Sequence, residues 1–133
     1  MSFNLPKKLM GLVPVLLLGV TGAALPQLTS SSDLVLHVNG PLTAGTMANA
    51  ASTGSTPGIQ VHLFNGSGLG LTSTAYGDID VENGLEVVSR KAGRFGTATF
   101  RAYVPPRFAG LSVYLQSIDD EGKKSQVHIE TIL

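Results

Sequence analysis

From Leu34 onward, apolar and polar side chains alternate in short runs, which is the period of a strand with one buried face. The longest such pattern lies at residues 95–118, FGTATFRAYVPPRFAGLSVYLQSI. In its first half Ala98, Phe100, Ala102 and Val104 share one face, and Thr97, Thr99, Arg101 and Tyr103 share the other. In its second half Leu111, Val113 and Leu115 form the inward set, opposed by Ser112, Tyr114 and Gln116. Pro105 and Pro106 lack backbone donors and cannot continue a ladder, and Gly110 can take the positive φ that restarts the chain. The pattern predicts a hairpin of two long strands around a proline-glycine corner.

Shorter runs flank it. Leu34, Leu36 and Val38 alternate with Val35, His37 and Asn39 up to the turn Asn39-Gly40-Pro41. Residues 46–53 hold small side chains that can still alternate, with Met47, Asn49 and Ala51 on one face, so a strand is expected there in preference to a long loop. After Thr56-Pro57-Gly58, Ile59, Val61 and Leu63 alternate with Gln60, His62 and Phe64. Residues 67–77 are rich in Gly and Ser and read as a loop with at most a short edge strand. Ile79 and Val81 alternate with Asp78, Asp80 and Glu82, and Asn83-Gly84 signals a tight hairpin into residues 85–89. A polar turn at 119–124 precedes the last run, where Val127 and Ile129 alternate with Gln126, His128 and Glu130.

These runs make seven or eight short strands without a helical period, which predicts an all-β fold: an antiparallel immunoglobulin-like β-sandwich, with a small barrel as the alternative. The first residues differ. Lys7 and Lys8, the apolar run 9–20 and the small residues Gly22, Ala23 and Ala24 have the three parts of a secretory signal peptide over residues 1–24. The run is shorter than the roughly 20 residues a bilayer core needs and is broken by Pro14, so cleavage is expected and no membrane span after it. Residues 25–32 read as a flexible leader and residues 33–133 as the domain. The expected location is secreted, periplasmic or extracellular.

Composition narrows the function. The chain has nine basic and nine acidic residues, and removing Lys7 and Lys8 leaves seven against nine, a net charge near −2. Nucleic-acid binding, which needs a clustered basic excess, is not expected. With no cysteine, the chain has no disulfides, thiolate metal sites or Cys nucleophile.

The order NGPLTAG, a small-residue strand, STPGIQVHLF, a Gly-rich insert and GTATFRAYVPPRFAGLSVYLQSID resembles secreted bacterial immunoglobulin-like or fibronectin-type β-sandwich modules found in exported proteins of planctomycetes and myxobacteria. The resemblance covers about residues 33–132. It implies an exported immunoglobulin-like fold and no activity.

Asp78, Asp80 and Glu82 recur every second residue, so their carboxylates share one strand face, a spacing that suits Ca²⁺. The same spacing also suits the solvated face of an edge strand, and the calcium-loop pattern of the EF-hand is absent. No other cofactor is expected. His37, His62 and His128 have no local metal-ligand spacing, and Asp119, Asp120 and Glu121 read as a charged turn. No G-x-S-x-G elbow is present, and the chain is not expected to be an enzyme. Residues 34–77 carry no Asp, Glu, Lys or Arg, whereas Arg90, Lys91, Arg94, Arg101 and Arg107 gather within eighteen residues. Tyr103 and Tyr114 fall on outward phases, so Arg101, Tyr103, Arg107 and Tyr114 form the candidate binding surface for an unidentified protein or polysaccharide. The expected role is binding or structural. Self-assembly by strand addition is the alternative, and a glycan-binding module or small hydrolase comes after it.

Overall fold

The computed structural model describes residues 34–133, so the expected signal peptide and leader lie outside the described residues. Among the described residues there are nine strands, all paired antiparallel, and one 3-10 turn at Pro106–Phe108. The first sheet has the order β1 (Val35–Asn39), β2 (Met47–Thr53), β7 (Ala98–Tyr103). The second has the order β6 (Leu85–Lys91), β3 (Gln60–Gly66), β8 (Ser112–Asp119), β9 (His128–Thr131). A separate hairpin joins β4 (Gly68–Thr74) to β5 (Gly77–Glu82). The result is an all-β, sandwich-like fold.

Alternation builds the interior. Leu36 of β1, Ala98 and Phe100 of β7, Val61 and Leu63 of β3, and Val113 and Leu115 of β8 are buried in one cluster between the two sheets. A second cluster lies on the opposite face of the four-stranded sheet, where Phe64 of β3 and Ile118 of β8 meet Ile79 and Val81 of β5. The β4–β5 hairpin is therefore a flap laid across that face. Gly66 permits its close approach, since a Cβ there would lie 2.6 Å from the Cβ of Val81 and 2.7 Å from the Glu82 carbonyl oxygen.

The flap explains where simple alternation fails. Strands β3 and β8 are covered on both faces, so His62, Phe64 and Gln116, placed on outward phases by the pattern, are buried with at most 5% of their surface exposed. Both hairpins read from the sequence are rearranged. Strands β7 and β8 lie in different sheets, and the proline corner carries the chain from one sheet to the other. Strand β5 pairs with β4, β6 pairs with β3, and Asn83-Gly84, with Asn83 at φ 54°, links the flap back to the sheet. The Gly-rich stretch read as a loop supplies β4, with a register shift between Leu69 and Thr72. Leu111 and Ile129, read as inward, are half-exposed, and β9 instead turns His128 and Glu130 toward the protein. The small-residue strand is present at Met47–Thr53, as the pattern predicts. Among the described residues no helix is long and apolar enough to cross a membrane.

Candidate functional site

The two ends of the sandwich differ. At one end, polar groups close the gap between the sheets: the Oγ atoms of Ser52 (β2) and Ser117 (β8) are 2.8 Å apart, both fully buried. Ser55 Oγ donates to Asp119 Oδ2 at 2.9 Å, while Asp119 Oδ1 accepts from the backbone amides of Glu121 at 3.0 Å and Lys123 at 2.9 Å. Asp119 is thus a buried loop anchor, where the sequence reading had a charged turn. Each of its acceptor contacts is a satisfied hydrogen bond, which is what a buried carboxylate requires.

The other end is not filled. Ala48 and Ala50 of β2 and Ala102 of β7 face Leu63, Val113 and Leu115 across the interior, and these short side chains leave a cavity of about 100 Å³. Its walls are almost entirely apolar, with Asn49 and Asn65 as the polar lining residues. Its exposed lining residues include Val87 of β6 and Tyr103 of β7, at 44% and 55% of their surface. Each of these strands is the terminal one of its sheet, so the mouth opens between two free edges. A concave apolar site with a few polar groups at its rim is the usual form of a ligand site.

Of the four residues expected to bind, Tyr103 lines this mouth, and Arg101 and Arg107 stand next to lining residues without lining it themselves. Arg101 and Tyr103 project from the exposed face of β7, two residues apart. Arg107 lies on the 3-10 turn, its guanidinium 5.2 Å from the ring of Phe108, which lines the cavity. Tyr114 is elsewhere: it is half-buried on the flap side of β8, packed against the second cluster. Among the described residues none of Arg90, Lys91, Arg94, Arg101 and Arg107 makes an ion pair, while Lys123 and Lys124 are paired with Glu121 and Asp80. Arg90 and Lys91 lie at the Asp119 end of β6, so the uncommitted positive charge nearest the mouth is that of Arg101 and Arg107.

Asp78, Asp80 and Glu82 do share the outward face of β5, but each is drawn to its own surroundings. Asp78 Oδ1 accepts from Ser73 Oγ at 2.9 Å, and Asp80 accepts from Gln116 Nε2 at 2.9 Å and Lys124 Nζ at 3.0 Å. Burial acts to raise the Asp80 carboxyl, but the Gln116 and Lys124 hydrogen bonds and the Lys124 charge outweigh it and hold it below its ordinary value. Among the described residues no three His, Asp or Glu side chains converge in a way that could hold a metal ion.

The three histidines are scattered. His37 is exposed on β1, and His128 Nε2 contacts Glu130 Oε1 at 2.8 Å. His62 stacks on Tyr76 of the flap, with ring centroids 3.7 Å apart, and its two nitrogens face Glu86 Oε2 at 3.1 Å and Asp120 Oδ1 at 2.7 Å. Desolvation, followed by the charges of Glu86 and Asp120, raises the Tyr76 phenol above its ordinary value. Sequence reasoning missed this cluster and the cavity. The available signal was that VHLF and VYLQSI carry apolar residues in both phases, the pattern of a strand buried on two faces.

No family model, curated protein or solved structure matches the chain.

Proposed function

We propose that the protein is an exported, non-enzymatic immunoglobulin-like β-sandwich that acts by binding, at the cell envelope or outside the cell. The observation that carries the binding reading is the apolar cavity that opens between the free edges of β6 and β7 beside Arg101 and Arg107. The immunoglobulin-like part is supported by the strand distribution. Outside the flap, three strands face four, and the chain changes sheet between β2 and β3, β6 and β7, and β7 and β8, as in Greek-key sandwiches. Export rests on the signal-like residues 1–24 and the resemblance to secreted modules.

Buried and half-buried polar side chains hold the structure: Asp119 closes a loop, Gln116 docks the flap, and Glu130 binds the Leu42 amide. The mouth, by contrast, carries an open apolar surface that a ligand can fill. The test is methyl NMR of the purified protein titrated with benzene, a small apolar probe of the size such cavities accept. Shifts confined to the methyls of Ala48, Ala50 and Ala102 are the expected outcome. If those methyls do not respond, the binding reading fails.

A second reading, self-assembly by strand addition, is favoured by the same two free edges.

A further inference from the structure

The cavity, its edges and its charges together restrict what can occupy it. At about 100 Å³ it has room for one small apolar group of the size of a benzene ring or a branched side chain. One aliphatic side chain fits such a space, and a long lipid tail does not. An anionic polysaccharide would satisfy the arginines but brings no apolar group to the cavity. The open backbone edges beside the mouth call for extended chain, whose main-chain groups can extend a ladder.

The two edges are not equivalent. The β6–β3 pairing is bulged: Leu63 pairs with Val88 and Phe64 with Glu86, leaving Val87 as the extra residue. A bulge disrupts the ladder and blunts an edge against further pairing. Strand β7, by contrast, keeps an unbroken six-residue register with β2 and presents its other edge to the mouth. A strand added to β7 would alternate its side chains between the cavity and the outer face, where Arg101 and Tyr103 project. With the aliphatic opposite Ala102, one of the residues flanking it would therefore face Arg101 and the other Tyr103. The carboxylate on β6, Glu86, faces the flap and is engaged by His62, so it does not oppose an acid there.

We infer that the mouth between β6 and β7 binds an extended acidic peptide, which adds as a strand to β7, seats one aliphatic side chain in the cavity and sets a flanking carboxylate opposite Arg101. This rests on the cavity being a binding site, and the test separates the two. The probe is the blocked pentapeptide threonine-glutamate-leucine-glutamate-threonine, compared with versions carrying lysine for glutamate or serine for leucine. On the purified protein, the acidic leucine peptide should shift the amides of residues 98–103 together with the Ala102 methyl. Both substituted peptides should bind at least about tenfold more weakly. Arg101→Glu, an exposed substitution that leaves the interior untouched, should reverse the preference between glutamate and lysine peptides. Benzene entry without peptide response would overturn the inference and leave the binding site standing, and no response to either would overturn both. Equal shifts from all three peptides, or an anionic polysaccharide that displaces the peptide and itself moves the Ala102 methyl, would also overturn it.

Discussion

Gln116 is the most consequential polar side chain in the interior, and replacing it tests how the flap is held. Its Oε1 accepts the Asp80 amide at 2.7 Å, and its Nε2 donates to Asp80 Oδ2 at 2.9 Å and to the Ser125 carbonyl at 2.7 Å. One residue on β8 thus ties the flap and the 125 loop to the sheet. Gln116→Met keeps the shape and removes all three bonds. The Ser125 carbonyl, on a residue 3% exposed, would be left without that donor, at a cost of about 1–3 kcal/mol. The Asp80 carboxylate is half-exposed and recovers part of its loss from water, so a total near 2–4 kcal/mol is expected. At about 4–8 °C per kcal/mol for a domain of this size, the melting temperature should fall by roughly 8–32 °C. Urea melts give the global value, and amide exchange gives the location, with β4 and β5 losing protection before β3 and β8. A variant within about 0.5 kcal/mol of the parent, or uniform loss of protection across both sheets, would refute this account of the flap.

Glu130 provides a pH test. Burial pushes its carboxyl up, but the His128 hydrogen bond, the Leu42 amide and the His128 charge prevail and hold it below its ordinary value of 4.5. A lowered folded-state value gives stability that is present above the unfolded value and is lost as pH falls through the folded one. Glu130→Gln should therefore cost about 1 kcal/mol at pH 7 by exchanging charged for neutral hydrogen bonds, with the difference closing as pH falls past the ordinary carboxylate value and through the lower folded one. A gap that widens on acidification would contradict this. For strand addition between copies, light scattering across a concentration series should show growing oligomers that are lost with a proline at Arg101, and a concentration-independent monomer would remove that reading.

Much of the strand content was legible because most strands keep one wet face. Leu34, Leu36, Phe100 and Val113 sit inward as their alternation says. Pairing was not legible. Asn83-Gly84 carries the composition of a tight hairpin, yet the preference of two residues for positive φ does not specify which strand the next segment meets. His62 and Gln116 were assigned to solvent because a polar residue in a polar phase looks the same whether water or a flap covers it. Arg101, Tyr103 and Arg107 could be grouped from sequence spacing, whereas the cavity beside them depends on how Ala48, Ala50 and Ala102 face the opposite sheet. Tyr114 was misplaced for the same reason as Gln116.

Asn65 and Leu85 are register partners on neighbouring strands. The chain therefore leaves the sheet at the end of β3 and re-enters it beside its own point of departure, so residues 67–84 are an excursion whose ends are one strand spacing apart. A short turn would bridge the same gap, and loop length there changes closure entropy only slowly. The flap is in this sense an exchangeable part: its length and outer face can vary without altering how the two sheets meet. What constrains the exchange is the lining. Any replacement must either cover Phe64 and Ile118 or be accompanied by polar residues at both positions, since bare they would form an exposed apolar patch on a sheet built to be covered.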